Sequence, residues 1–418
     1  MRLRSHLFPL LFPLLLTAAA CRTATPVTQP GTTTIPLEEM RALSVRPDVA
    51  RALEAVERDR EAIIAQWRTI TEIPAPSGQE AKRADAIETL LRNYGLENVH
   101  RDAAGNVIGV RRGTGGGKRV AFDAHLDTVF AMETNVATRI ENGRIYAPGV
   151  GDNTRNVISL LAMIRAMNEA QLQTKGDLTF VFTVEEETSF KGADRFLADH
   201  AKELDRYVAL DGGFSGFTYG GTGIYWHRYH IIGPGGHTRS RTPPYSATLP
   251  LARAIQRLYA LDIPETSWFN IGMIGGADVF NAKAADAWLS VDLRSTVAEE
   301  LHRLDAQIQS IVAEEAARAG MTMKRDTVST SEVANMPGHR NSEMVRTAEA
   351  VFRLFGHDPS ITNTASNHTS AAILAGVPAI GMGTTPCEGS HALEESCEIE
   401  PIFAGIKRTI VLAVALSE

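Results

Sequence analysis

At 418 residues, with 44% hydrophobic and 22% charged side chains, the chain carries enough apolar material for two domains with cores of their own, which excludes a compositionally disordered protein. A formal net charge of −7 and the lack of any basic cluster exclude a nucleic-acid partner.

Arg2 and Arg4 precede an apolar run over 7–16 and then Thr17-Ala18-Ala19-Ala20-Cys21, the layout of a secretory signal peptide and too short for a spanning helix. Small residues before Cys21 fit a bacterial lipoprotein cleavage site, and an ordinary Ala-x-Ala cleavage fits nearly as well. Residues 1–21 are therefore expected to be removed, and 22–44, rich in Thr and Pro over 22–36, to be a flexible linker. The expected location is the bacterial cell envelope, either periplasmic or anchored to the membrane through a lipidated Cys21.

Helical spacing of apolar residues follows over 48–70 and 79–94, with Ser77 and Glu80 as a capping-box start for the second helix. Short β-like runs come at 105–111, 119–124, 178–184, 206–211 and 377–382, interleaved with helical stretches such as 155–170. That alternation predicts an α/β domain with a mostly parallel sheet. Over 215–332 the rhythm changes: a strand (224–232), a helix (247–261), strands (268–275 and 286–293), a helix (297–319) and a strand (321–329). This predicts an inserted α+β unit between the two parts of a discontinuous first domain, 45–214 and 333–418.

Five stretches carry chemistry. The run Val-Ala-Phe-Asp-Ala-His-Leu-Asp over 120–127 ends a strand in His125-x-Asp127, where His125 offers one ring nitrogen to a metal and Asp127 holds the other ring N–H. Asp152 stands in a glycine-rich turn before a helix, a position that a helix cap would also explain. Three acids, Glu185-Glu186-Glu187, follow an apolar strand directly, a clustering that is unfavourable unless something cationic is near. Asp211 ends another strand, and His391 lies in Gly389-Ser390-His391-Ala392-Leu393-Glu394. Each alone fits a turn, a cap or a solvated face, but four of them fall at or just beyond ends of predicted parallel strands, where open α/β sheets bind their ligands.

In order and type these five stretches resemble the metal set of the di-zinc exopeptidase and deacylase superfamily that includes carboxypeptidase G2, aminoacylase-1, peptidase T and acetylornithine deacetylase. The resemblance runs from about Glu72 to the C-terminus and implies a zinc-peptidase catalytic domain with an inserted lid or dimerisation domain. It implies two zinc ions per subunit, for which cobalt or manganese can substitute, held by His125, Asp152 and Asp211 on one side and by Glu187 and His391 on the other, with Asp152 bridging. It also implies a cis peptide bond after Asp152 and Glu186 as the base that takes the proton of the attacking water. Register within the three acids comes from Thr188-Ser189-Phe190-Lys191-Gly192-Ala193, which is similar to the deacetylase pattern and leaves Glu185 a bystander.

In the insert, Gly233-Pro234-Gly235-Gly236-His237-Thr238 resembles the lid motif whose histidine stabilises the oxyanion, from the neighbouring subunit in dimeric members. Asn281 and Arg294 fall where relatives place substrate contacts, although a salt bridge would serve Arg294 nearly as well. His368, in Ser366-Asn367-His368-Thr369-Ser370, replaces an acid near the substrate pocket and puts borrowed specificity in doubt. Cys387 and Cys397 bracket His391 as either a disulfide or two free thiols.

The resulting expectation is a zinc exopeptidase acting on short peptides, with aminopeptidase-like cleavage favoured, active as a homodimer. An N-acyl-amino-acid deacylase or carboxypeptidase-type hydrolase is the rival within the enzyme class. A noncatalytic zinc-binding envelope protein is the rival outside it, and the unbroken ligand set and base argue against it.

Overall fold

The computed structural model of the chain describes residues 37–276 and 278–418. The expected signal segment, Cys21 and the Thr- and Pro-rich tether lie outside the described residues. Among the described residues, no helix is long and apolar enough to cross a membrane.

Runs of continuous apolar sequence build the centre of the molecule. Val120–His125, Arg206–Leu210 and Ala379–Met382 are buried at every position, as a parallel sheet covered by helices on both faces requires. The sheet has eight strands in the order Glu97–Arg101, Val107–Arg111, Leu178–Thr183, Val120–His125, Arg206–Leu210, Ala379–Met382, Gly216–Thr218 and Ser360–Thr362. Four neighbours, from Leu178–Thr183 to Ala379–Met382, are mutually parallel. Their register sets His125 beside Thr183 and Leu210 beside Met382, so the segments after these strands emerge on one edge.

Alternate residues of these strands feed two cores. Phe122, Phe182 and Leu210 pack with Leu160, Leu161 and Ile410 of the helices Arg155–Glu169 and Glu400–Ser417. Ala121, Val181 and Ala209 pack with Phe196 and Ala372 of Lys191–His200 and His368–Leu374.

The insert has its own core. Gly223–Ile232, Asp286–Ser295, Thr322–Ser331 and Ser267–Asn270 form an antiparallel sheet, to which Ile274–Gly275 adds a short pairing. Strict alternation along Gly223–Ile232 and Asp286–Ser295 puts Tyr229, Leu289 and Leu293 under the helices Thr248–Leu258 and Ala298–Arg318. The opposite face stays open, the usual arrangement of an antiparallel sheet with one covered side.

Several boundaries differ from the sequence expectation. Residues 37–44, expected in the linker, form the helix Leu37–Ser44, which packs on the main domain through buried Met40. The helical stretch 48–70 is two helices, Pro47–Arg58 and Arg60–Thr71, jointed at Asp59, whose carboxylate pairs with Arg58 and Arg165. Strand 268–275 is interrupted between Asn270 and Ile274, around Gly272. Gly216–Thr218, placed in the insert from sequence, pairs in the central sheet instead, so the chain leaves that sheet only after Thr218. No capping box forms at Ser77 and Glu80: the Ser77 hydroxyl donates to Asp127 Oδ2 at 2.7 Å, and Glu80 accepts from the backbone N–H groups of Gly78 and Glu185. Both side chains were claimed by the nearby site.

Candidate metal centre and active-site cleft

At the shared edge of the parallel strands, side chains from four segments meet. His125 is the last residue of its strand, Asp152 stands just before Arg155–Glu169, Glu187 follows Leu178–Thr183, and His391 projects from the loop between Cys387–Glu388 and Ser396–Glu398. His125 Nε2 lies 3.1 Å from Asp152 Oδ1, and His391 Nε2 lies 3.3 Å from Asp152 Oδ2 and 3.1 Å from Glu187 Oε2. Ligand atoms of His125, Asp152 and Glu187 all fall within 4.8 Å of one another. Asp152 thus touches both histidines, as a bridging carboxylate must. Asp211 shares a cleft of about 500 Å³ with Asp152 and Arg155, and its pKa is raised by burial and by the charge of Asp152.

Local structure holds each group in place. The peptide bond between Asp152 and Asn153 is cis, as the resemblance implied. Asn153 Nδ2 donates to Leu210 O at 2.8 Å, tying this turn to the strand that leads into Asp211. Asp127 stands behind His125, with its backbone oxygen 3.1 Å and its Oδ1 3.4 Å from Nδ1. The Asp127 carboxylate also accepts from the N–H groups of Glu186 and Glu187 at 2.9 and 3.1 Å, so one buried acid aligns two candidate ligands, His125 and Glu187, and the candidate base. Burial alone would raise the Asp127 pKa, but the adjoining His125 ring, the Ser77 hydroxyl and the Glu186 N–H hold it well below the usual carboxylate range.

Glu186 and Glu187 begin a single helical turn, Glu186–Ser189, bracketed by Glu185 and Phe190 at positive φ (53° and 56°). Such backbone costs on the order of 1–3 kcal/mol per residue and collects at functional sites. The turn sends Glu185 away to an ion pair with Lys191, while Glu186 is buried and Glu187 reaches His391. Burial, helped by the charges of Asp211 and Glu187, pushes the Glu186 carboxyl up to about 8 against the pull of His125. Burial and the charge of Asp152 push Glu187 up to about 7. This is the crowding of negative charge that divalent cations relieve, and a cluster of two imidazoles with three carboxylates has donors suited to zinc. The residues therefore fit a metal pair.

Cys387 and Cys397 are disulfide-bonded. The bridge closes the loop that carries His391 and anchors it to a small sheet with Arg139–Glu141 and Arg144–Tyr146.

Sequence reasoning passed over Glu395. Its buried carboxylate accepts backbone N–H groups of Gly149, Gly151 and Asp152 at 2.7, 2.9 and 2.7 Å, fixing the turn that carries Asp152. A Cβ on Gly151 would come within 2.7 Å of both Glu395 Oε1 and Cys397 Sγ, which accounts for glycine there. The signal was the tandem Glu394-Glu395 inside the cysteine-bracketed segment; exposed Glu394 pairs with Arg139 instead.

The expected substrate residues separate. Arg294 lines a cleft of about 700 Å³ together with Glu186, Glu187 and His391, but its guanidinium is held by Asp292, with Nε–Oδ1 at 3.0 Å and Nη2–Oδ2 at 3.2 Å. In this structure it both makes that salt bridge and lines the cleft. His368 is buried, and its Nδ1 lies 2.6 Å from Asp123 Oδ2, whose other oxygen accepts from Thr183; it backs the cleft wall against Phe190 rather than lining the cleft. His368 thus pairs with Asp123, a contact between distant positions that one sequence does not display. His237 and Asn281 come together, with Thr238 N donating to Asn281 O at 2.9 Å and His237 opposite Ala282, but both are exposed and neither lines the cleft.

A model of peptidase family M20/M25/M40 matches residues 121–413, most of the chain and all of the site. The chain belongs to this family. It is 23% identical to carboxypeptidase G2 of Pseudomonas sp. (strain RS-16) over 383 residues, covering 87% of this chain and 90% of that protein. Among solved structures it is similar to a tripeptidase from Staphylococcus aureus (TM-score 0.77, 20% identity, 85% of this chain and 98% of the other). It is also similar to a Bacillus subtilis dinuclear metal-binding peptidase of family M20 (TM-score 0.68, 16% identity, 86% of this chain and 98% of the other). As an M20 peptidase the chain is a hydrolase acting on amide bonds, and the α/β catalytic domain with its inserted unit is that family's architecture.

Proposed function

We propose that this M20 peptidase is a two-zinc exopeptidase that removes single residues from short peptides in the bacterial envelope, with attack at the amino-terminal end favoured. The observation that carries this reading is the convergence of His125, Asp152, Glu187 and His391 around one point, with Asp211 and Glu186 beside it. His125, Asp152 and Asp211 would hold one metal, and Asp152, Glu187 and His391 the other, with cobalt or manganese as substitutes for zinc. When bound, the metals supply Lewis acidity toward the amide carbonyl and the attacking water.

The remaining work falls to the chain's own side chains. Glu186 accepts the proton of the water as its oxygen bonds to the carbonyl carbon, then passes that proton to the amine nitrogen as the C–N bond breaks. Asp127 keeps both the base and the Glu187 ligand in register through their backbone N–H groups. A cleft of about 700 Å³ suits a short peptide rather than a folded protein. His237, exposed and away from its own cleft, serves as an oxyanion donor to the second subunit of a homodimer, where isologous contacts complete both sites at once. The disulfide beside His391 supports an oxidising compartment, in keeping with export and attachment through Cys21.

Likeness to carboxypeptidase G2 favours a second reading, a deacylase or carboxypeptidase-type hydrolase using the same residues. The two separate in a product-identified screen of free-amine di- and tripeptides against N-acyl-amino acids, run with and without chelator. Chelator-sensitive release of amino-terminal residues supports the first reading, and turnover confined to acyl-amino acids replaces it with the second.

A further inference from the structure

Two large apolar side chains of the cleft have no part in the chemistry above. Trp226 is 42% exposed and Leu374 is 50% exposed, and both line the same cleft as Glu186 and His391. They come from different units: alternation along Gly223–Ile232 turns Ile224 and Trp226 to the open face of the insert's sheet, while Leu374 lies one turn beyond Ser370 and Ala371 on His368–Leu374. The charges on the insert's wall are already engaged. Arg294, cross-strand from Ile224, is held by Asp292, and Glu332 accepts from the Tyr225 hydroxyl and lies 2.8 Å from His302. Asp194 adds an acid to the same lining, which opposes an anionic side chain.

We infer that this cleft selects substrates with a bulky apolar side chain, aromatic or branched aliphatic, next to the scissile amide, and that the side chain lodges between Trp226 and Leu374. An apolar group entering there removes both exposed surfaces from water at once, the physical source of preference in such a pocket. The inference rests on the amide-hydrolase reading above and names its substrate class.

The test uses the metal-loaded enzyme with Phe-Ala, Leu-Ala, Ala-Phe, Ala-Ala and Glu-Ala, and with the N-acetyl derivatives of Phe, Ala and Glu. Substrates bearing Phe or Leu should exceed their Ala and Glu counterparts in kcat/KM by about tenfold or more, within the range one hydrophobic pocket supplies. Trp226→Ala and Leu374→Ser should each remove most of that preference, chiefly through KM, and leave the Ala substrates within about threefold, with unchanged metal content and Tm. Binding of Phe-Ala and Ala-Ala to the Glu186→Gln enzyme by calorimetry should rank the same way without turnover. Chelator-sensitive hydrolysis that favours Ala or Glu, or variants that slow every substrate equally, overturns the inference and leaves the hydrolase reading intact. Absence of hydrolysis across the whole panel overturns both.

Discussion

The strand-end cluster and the tip of the insert were assigned from the same kind of motif, yet they behave differently in the structure. At the strand ends, polar atoms of His125 and Asp152, of Asp152 and His391, and of His391 and Glu187 lie 3.1–3.3 Å apart. At the insert, His237 and Asn281 adjoin each other but remain exposed, outside the cleft that holds Glu186. The first site is specified within one chain, because parallel strands in fixed register deliver their following residues to one edge. The second is not completed within the described chain, and its completion is proposed to come from a neighbouring subunit.

The largest effect expected from this contrast comes from chelation. Dialysis against a chelator should take amide hydrolysis below detection, and added zinc should restore it, as assayed on whichever peptide of the panel is turned over fastest; activity that survives verified metal removal breaks the strand-end half of the comparison. Next is Glu186→Gln, which should lower kcat by about 10²–10⁴-fold, the usual worth of a general base. A loss under about tenfold in steady-state kinetics would assign the proton transfer elsewhere.

His237→Ala sharpens the other half. The loss of one oxyanion donor should cost about 10²–10³-fold in kcat. If the histidine serves a partner, mixing inactive His237→Ala and Glu186→Gln proteins should regain activity, because one site of each mixed dimer is intact; lack of recovery under exchange conditions, with monomers by light scattering, would place the histidine's role within its own chain. The smallest effect belongs to Glu185→Ala, which removes only a solvent-facing pair with Lys191 and should leave kcat within about twofold.

Much of the catalytic domain was legible because its signals are local. Apolar runs mark the strands, and the acids or histidines after them mark the candidate ligand set, with the three-acid register taken from the resemblance of the residues after Glu187. In the structure Glu185 pairs with Lys191 and Glu187 lies against His391. What stayed hidden depends on contacts between distant segments. Glu395 reaches back more than two hundred residues to three N–H groups around Gly151, and the acid that answers His368 stands at Asp123. Ser77 and Glu80 look like a helix cap until the strand end that recruits them is in place. Arg294 shows the same limit, since its partner Asp292 lies two residues away on the same strand face, yet a salt bridge and a substrate contact look alike in sequence.

The central claim is that adjacent acids have separate duties, with Glu187 a ligand and Glu186 a base. Metal-to-protein ratio measured by mass spectrometry on purified Glu186→Gln and Glu187→Ala decides it most directly. Glu186→Gln should keep the two metals expected of the parent protein while Glu187→Ala loses one, because a metal left with fewer protein ligands binds less tightly. Full metal content in Glu187→Ala, or loss of a metal in Glu186→Gln, would contradict it.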